Sequence, residues 1–183
     1  TMEVIPPIIN TGLEMLNTER KQVHVYFSPY NIQYKKFPQM LSKLEKLEEF
    51  KFLIYSNDSY DRYSNVPHFI FKKMTNSEDF LFDLRRSEFV ISTSGHQLIS
   101  EAIWYEKPLF LIPFETYEQK FNTYMVEKYA LGKNIEGLNL EQLRDAFQNF
   151  GYHKKQMVKY KKKYWKRLWN YDFFCILERE FNL

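Results

Sequence analysis

Residues 88–112 read EFVISTSGHQLISEAIWYEKPLFLI, and this stretch decides the fold. The apolar runs at 88–92 and 108–112 predict two strands, and residues 97–105 between them predict a helix. Both strands are apolar along most of their length, which is typical of a parallel sheet that is buried on both faces. The stretch therefore predicts a βαβ unit with short connections.

The same alternation continues on both sides of this unit. Further strands are predicted at residues 22–28, 51–55 and 67–71, and further helices at 37–50, 75–86, 117–131 and 141–150. Thr75 and Glu78 have the spacing of a capping box at the start of the second of these helices. Five strands that alternate with helices predict an α/β fold, a Rossmann-like doubly wound parallel sheet.

Composition excludes several classes of protein and site. The chain has 183 residues, a net charge of +3, five glycines and one cysteine. Neither a Walker loop nor a G-x-G-x-x-G motif occurs, and the lone Cys175 excludes an internal disulfide and a cysteine-based zinc site. The four histidines lie on different predicted elements, so no metal site and no cofactor are predicted. With no signal peptide and no long apolar run, the chain is predicted to be cytoplasmic.

The two ends of the chain differ from this alternating core, which is predicted to form one domain over residues 22–150. Residues 1–21 contain the stiff pair Pro6-Pro7, which fits either an interdomain linker or an ordinary chain terminus. Residues 151–183 predict a C-terminal basic helix, because residues 152–171 hold eight Lys or Arg, no acid, and interleaved tyrosines and tryptophans. Such a segment fits a solvated helix with one packed face, or an anionic membrane surface. Nucleic acid is disfavoured because an alternating α/β body offers no recognised reading module.

Chemistry is expected after the strands, because ligands of open α/β sheets bind at the carboxyl edge. The loop 92–97 leads directly into a helix, whose N–H groups and dipole favour phosphate. Gly95 is the one glycine at a predicted strand-to-helix junction, and the other four are assigned ordinary turn roles. The alternative for this loop is plain N-capping by Thr93 or Ser94.

Carboxylate and amide side chains near the same edge could bind a sugar. Glu101, on the helix after the loop, could accept hydrogen bonds from a ribose diol, or be an exposed helix-favouring residue. Glu118 and Gln119 open the next helix, with Asn122 one turn on, and could bond sugar hydroxyls.

Residues 90–132 (VISTSGHQLISEAIWYEKPLFLIPFETYEQKFNTYMVEKYALG) resemble the donor-binding signature of GT-B glycosyltransferases. These families include the UDP-GlcNAc transferase of peptidoglycan synthesis and the UDP-glucuronosyltransferases, and the chain also resembles a predicted microbial subgroup. Glu106-Lys107-Pro108 replaces the usual G-K-P, and Glu118-Gln119 stands where many members have Asp-Gln.

The resemblance implies that the chain is the C-terminal, nucleotide-sugar-binding half of a GT-B fold. It assigns diphosphate binding to Ser28, Ser94, Gly95, His96 and Gln97, ribose binding to Glu101, nucleobase binding to Phe71, and sugar binding to Glu118 and Gln119. The loop at Ser28 lacks the glycines of the family. The general base and the acceptor site are expected in an N-terminal half, against which residues 151–183 would pack, so no catalytic residue is assigned.

The function so implied is transfer of a sugar from a nucleoside-diphosphate donor, a UDP-sugar, with inversion and without a metal. The acceptor would be a glycan or a lipid-linked molecule, and the protein could lie peripherally on the inner membrane face. Two alternatives share the donor site: a UDP-sugar 2-epimerase and a non-catalytic nucleotide-sugar-binding domain. A serine hydrolase is disfavoured because G-x-S-x-G is absent.

Overall fold

The computed structural model of the chain describes residues 16–27, 36–56 and 60–165. Within these residues six parallel strands form one sheet in the order β3-β2-β1-β4-β5-β6. The strands are β1 Gln22–Tyr26, β2 Lys51–Tyr55, β3 Phe69–Lys72, β4 Phe89–Ser92, β5 Leu109–Leu111 and β6 Gly132–Asn134. The helices are α1 Lys36–Leu44, α2 Ser77–Arg86, α3 His96–Trp104, α4 Tyr117–Lys128, α5 Leu140–Gln148 and α6 Phe150–Tyr160. This architecture confirms the predicted α/β doubly wound parallel sheet.

Each face of the sheet carries its own apolar core. Val23, Val25 and Ile91 point to one face, where α1 and α5 add Leu41 and Leu143. Alternate residues of the same strands, with side chains from α2, α3 and α4, form a second core that includes Phe80, Leu98, Val90, Leu109 and Val126. Burial on both faces explains why the strands are apolar along their length.

The strand order reverses between β1 and β4, which pair directly in the middle of the sheet. Tyr26 of β1 pairs with Ser92 of β4, so the two strands end level with one another. In open α/β sheets a ligand crevice forms at such a switch point, beyond the carboxyl ends of the strands. The loop after β4 therefore lies where a ligand is expected.

Three predicted elements differ from the structure. Helix α1 ends at Leu44 and not at residue 50, although Leu47 and Phe50 remain fully or nearly buried and continue the apolar pattern through turns. The predicted capping box is wrong by one residue, because Asn76 caps α2 by accepting from the Asp79 N–H at 2.8 Å. Strand β6 was not predicted, since Gly-Lys-Asn is neither apolar nor β-favouring.

Gly132 has a structural role that an ordinary turn would not require. It lies in β6 opposite Leu109, and a Cβ placed on it would stand 1.7 Å from the Leu109 carbonyl oxygen. No side chain fits at that distance unless the strands separate. The prediction of a turn role for Gly132 is therefore wrong, because the residue permits the edge pairing of β5 and β6.

His24 is a buried polar residue in the middle of β1. Its ring lies 5.0 Å from the Tyr55 ring and 4.5 Å from the Phe80 ring, and neither ring nitrogen has a hydrogen-bond partner among the residues that the structure describes. Burial lowers the pKa of His24 to about 3, with the Asp83 charge opposing and the Lys72 charge supporting the shift. The imidazole is therefore neutral at physiological pH.

The described part of the N-terminal segment is attached to the edge of the sheet opposite the crevice. The Glu19 N–H donates to the Arg86 carbonyl at 2.7 Å, and its carboxylate pairs with Arg86 and Lys51 at 3.2 and 3.3 Å. Buried Lys107 donates to the Thr18 hydroxyl at 3.3 Å, and burial lowers the pKa of that lysine to about 8. Residues 1–15 lie outside the described residues.

The described part of the basic C-terminal segment packs on the domain itself. Tyr160 and Tyr164 lie 4.9 and 5.7 Å from the Tyr129 ring, and Lys161 donates to the Trp104 carbonyl at 2.6 Å. The described start of this segment thus contacts residues at the C-terminal ends of α3 and α4. Residues 166–183 lie outside the described residues. No helix within the described ranges combines the length and the apolar character needed to cross a bilayer.

Candidate functional site

The N-terminus of α3 faces open space at the carboxyl edge of the sheet. Gly95 is its N-cap in extended conformation, with φ −68° and ψ 132°, and as a glycine it offers no side-chain cap. The alternative of N-capping by Thr93 or Ser94 is therefore wrong. A Cβ on Gly95 would meet no atom of the described residues within 4 Å, and His96 and Gln97 are exposed in that part of the chain. The N-terminus of a helix, with its backbone N–H groups and the positive end of its dipole, is suited to an anion.

Ser94 precedes this helix and is completely buried. Its hydroxyl makes a short hydrogen bond with Thr123, and its carbonyl accepts from the Asn122 side chain at 2.9 Å. Its N–H donates to Gln119 Oε1 at 3.3 Å. All three polar groups of Ser94 thus bond to α4, so Ser94 fixes the position of the loop and does not point into the open space.

Gln119 joins the loop after β4 to the loop after β5. The same oxygen, Oε1, accepts from the Phe114 N–H at 2.9 Å and from the Ser94 N–H. Both partners are donors, which identifies the accepting atom as oxygen and leaves the amide nitrogen as a donor. Glu118, the neighbouring residue, is exposed at the start of α4, whose N-cap is Thr116.

Glu101 lies on α3, one turn beyond Gln97. Gln97 Nε2 donates to Glu101 Oε1 at 2.8 Å, which aligns the carboxylate along the helix face. Burial raises the pKa of Glu101, and the hydrogen bond from Gln97 opposes that shift. The carboxylate keeps further acceptor positions for a ligand hydroxyl.

Phe71 is in β3, the outer strand on the other side of the switch point. Its ring stacks on Tyr60 with a centroid distance of 6.0 Å and an interplanar angle of 23°. Three strand spacings separate β3 from β4, which corresponds to about 14 Å. The structure therefore groups Gly95, His96, Gln97, Glu101, Glu118 and Gln119 around α3 and α4, and places Phe71 farther along the same edge. Ser28 lies outside the described residues.

Lys36 is a charged residue at this edge that the sequence analysis missed. It begins α1 and forms a close ion pair with Glu136 and another with Glu115 at 3.5 Å. Beside it is a cavity of about 210 Å³ lined in part by Ile112 and Glu136. A lysine at a helix N-terminus opposes the helix dipole, and this mismatch was the available sequence signal. Within the described residues, no group of three His, Cys, Asp or Glu is placed to hold a metal ion.

Comparison with known proteins gives a family and a fold. The sequence model for glycosyl transferase family 1 matches residues 1–151. A search among curated proteins finds no match.

Three solved structures illustrate the similarity of fold. The glycotransferase of kitacinnamycin superposes with a TM-score of 0.66 at 13% identity, over 87% of this chain and 44% of that one. SnogD, a glycosyltransferase from Streptomyces nogalater, gives 0.61 at 14% identity, over 86% and 43%. Medicago truncatula UGT71G1, complexed with UDP-glucose, gives 0.61 at 14% identity, over 80% and 36%. The chain thus spans less than half the length of these proteins.

Proposed function

The chain belongs to glycosyl transferase family 1, and from that membership we propose that it is the nucleotide-sugar donor-binding half of a glycosyltransferase. The membership and the shared fold confirm the resemblance drawn from residues 90–132. The observation that carries the proposal is the glycine-capped N-terminus of α3, where no described residue lies within 4 Å of a Cβ placed on Gly95, with Glu101 farther along the same helix. In this proposal residues 22–150 bind the donor, and residues 1–21 lead from a preceding half.

The diphosphate lies against the first turn of α3. Backbone N–H groups of His96 and Gln97 donate to its oxygens, and the absent side chain of Gly95 lets the phosphates approach the main chain. The imidazole of His96 adds a further donor. Ser94 acts as a positioning residue through its bonds to α4, and Ser28 is proposed to face the phosphates from the loop after β1.

The ribose, the nucleobase and the transferred sugar of the donor are assigned to other residues at the same edge of the sheet. Glu101 accepts hydrogen bonds from the ribose hydroxyls, and the end of β3 at Phe71 faces the nucleobase. Glu118 and the Nε2 amide of Gln119 bond the hydroxyls of the transferred sugar. The similar Medicago truncatula protein was solved with UDP-glucose, which supports a UDP-sugar as the donor.

Transfer breaks the bond between the sugar C1 and the diphosphate oxygen while an acceptor oxygen bonds to C1. The departing UDP keeps the bonding electron pair, and its new negative charge is stabilised by the α3 N-terminus and by His96. The acceptor loses its proton to a general base, which we place in the other half of the protein. We propose an inverting reaction without a metal ion, because N–H groups of the protein already stabilise the negative charge of the leaving diphosphate.

The proposed acceptor is a glycan or a lipid-linked molecule. Neighbours of this fold were solved with pterostilbene and with quercetin, which supports an acceptor that is bound separately from the donor. We propose a cytoplasmic protein whose residues 152–171 meet an anionic membrane surface. The competing UDP-sugar 2-epimerase function would convert UDP-sugar without any acceptor, so product analysis with and without acceptor separates the two.

Calorimetric titration of the 183-residue chain tests the donor site. UDP is expected to bind, and Glu101→Gln is expected to weaken it by about tenfold or more, because a hydrogen bond to a charged group contributes roughly 1.5–3 kcal/mol. The same substitution should leave the affinity for 2′,3′-dideoxy-UDP unchanged. The matched control is Glu78→Gln, an exposed glutamate of α2.

Two outcomes would contradict the assignments. Absence of saturable binding for every nucleoside diphosphate would remove the donor site. Equal losses for UDP and its dideoxy analogue in Glu101→Gln would remove the ribose role while leaving the site intact.

A further inference from the structure

Helix α4 exposes a row of aromatic side chains along its outer face. Tyr117, Phe121 and Tyr124 are 84%, 48% and 56% exposed, and the Tyr117 and Phe121 rings stack at 6.2 Å with an interplanar angle of 13°. Their spacing of four and three residues places them on one side of the helix. Large exposed aromatics that form one stripe are typical of an interaction surface.

The stripe continues into the basic C-terminal segment. Lys128 Nζ lies 5.7 Å from the Tyr124 ring centre and 5.9 Å from that of Tyr129. Tyr129 in turn contacts Tyr164 at 5.7 Å, and Lys163 lies over Tyr164 at 4.9 Å. We call this continuous surface, from Tyr117 through Lys128 and Tyr129 to Tyr164, the aromatic band.

Positive charge surrounds the aromatic band. Lys120 and Lys128 are exposed on α4, and Lys159, Lys162 and Lys163 are exposed on the C-terminal segment. Three acids near the aromatic band are exposed, namely Glu115, Glu118 and Glu127. Glu115 pairs with Lys120 at 2.6 Å, and Glu127 accepts from the Asn134 N–H at 2.9 Å. The five exposed lysines outnumber these three acids, so the charge around the band is positive.

We propose that the aromatic band binds an anionic bilayer surface. Tyrosine and phenylalanine rings insert at the level of the lipid headgroups, where an apolar body and a polar tip are both accommodated. Lysines around them attract anionic headgroups. The proposal goes beyond donor binding, and it enlarges the membrane contact of residues 152–171 by the whole outer face of α4.

The aromatic band runs toward the candidate donor site, so a membrane bound to the band would lie close to that site. Tyr117 is the first residue of α4 and adjoins Glu118, so one end of the band lies beside the candidate donor site. A bilayer seated on the band would therefore meet the donor site at that end. This placement suits a lipid-linked acceptor, whose reactive group stays at the headgroup level.

Vesicle co-sedimentation of the 183-residue chain tests the proposal. Binding is expected to vesicles of equal parts phosphatidylcholine and phosphatidylglycerol, to weaken with salt, and to be at least about tenfold weaker on pure phosphatidylcholine. The variant Tyr117→Ser/Phe121→Ser/Tyr124→Ser should lose at least about tenfold in vesicle affinity, since three exposed apolar groups are removed. The matched control is Met74→Ser/Phe82→Ser, which removes two exposed apolar side chains elsewhere.

Charge reversal gives a second and independent test. Lys128→Glu/Lys162→Glu/Lys163→Glu should reduce anionic binding by at least about tenfold, because each lysine near such a surface contributes about 1 kcal/mol. Lys46→Glu/Lys73→Glu, two exposed lysines outside the band, should have a much smaller effect. Circular dichroism of each variant verifies folding, and UDP titration verifies the donor site separately.

Several results would overturn the proposal. They are absence of vesicle binding by the native chain, equal binding to neutral vesicles, and band variants that sediment like the native chain. Failure of the native chain to bind vesicles, while UDP still binds, would remove the membrane contact and leave the donor site in place.

Discussion

Removal of the Gln119 side-chain oxygen is expected to loosen the donor loop. Gln119→Leu removes the oxygen that accepts from the N–H groups of Ser94 and Phe114 in a largely buried region. Because water reaches the half-buried Gln119 position, the lower part of the usual penalty applies, about 2 kcal/mol for the two donors together. For a chain of this size that loss corresponds to a fall in Tm of about 4–8 °C.

Gln119→Glu separates the two roles of the side chain. A carboxylate still accepts both N–H bonds and is favoured near the α4 N-terminus, so the Tm should stay within about 2 °C of the native value. The variant loses the Nε2 donor, so the preference for UDP-glucose over UDP should shrink in calorimetric titration. Differential scanning calorimetry and the titration together measure both effects. The reasoning is refuted if the Tm of Gln119→Leu equals that of the native chain, or if the Tm of Gln119→Glu is lowered as much as that of Gln119→Leu.

Two further substitutions test the sheet that positions the site. His24→Phe should stabilise the fold by about 1–3 kcal/mol at pH 7, because it removes two buried ring nitrogens without partners. The His24 pKa is about 3 in the folded chain and 6.5 in the unfolded chain, so on acidification the unfolded chain binds the proton first. The native state therefore loses stability as the pH is lowered from 6.5. In urea unfolding, the stabilisation of His24→Phe over the native chain should thus be about 2 kcal/mol larger at pH 5 than at pH 7, and an equal stabilisation at both pH values would contradict this. The control His153→Phe should not stabilise the fold, because the His153 ring hydrogen-bonds a carbonyl at 2.9 Å. Gly132→Ala should destabilise by about 3 kcal/mol or more, because its Cβ would overlap the Leu109 carbonyl, whereas Gly95→Ala should fold normally and weaken only UDP binding. Equal stability of the two glycine variants would show that β6 does not pair as closely as described.

The sequence predicted the fold well where side chains reveal the period of an element. Apolar strands such as β4 and the helix α3 were placed within one residue at most boundaries, because burial on both faces requires that pattern. The sequence-based prediction failed where contacts of the backbone determine the structure. Strand β6 forms because Gly132 lets two backbones approach, and no apolar signal marks it. Helix α1 ends early although Leu47 and Phe50 keep the helical spacing, since turns can also direct side chains into the core.

In the candidate site, too, some features could be predicted from the sequence and others could not. The helix N-terminus at Gly95 and the carboxylate of Glu101 could be located from the sequence, because both depend on the position of a strand end. The direction of the Ser94 side chain could not, since it depends on Thr123, Asn122 and Gln119, which follow on another helix. Three contacts between distant residues convert a residue expected to bind ligand into one that fixes the loop.

Helix α4 separates the donor site from the aromatic band by its own periodicity. Gln119, Asn122, Thr123 and Val126 lie on its inner face, and the first three of them hold the loop at Ser94. Tyr117, Phe121, Tyr124 and Lys128 lie on the outer face at the same helical spacing. The outer residues span 11 positions, or about 17 Å of helix, and share none of the hydrogen bonds of the inner face. Substitutions on the outer face should therefore change membrane binding without moving the donor loop. Because both faces belong to one helix, however, a surface bound to the outer face sets the height of the donor loop above it.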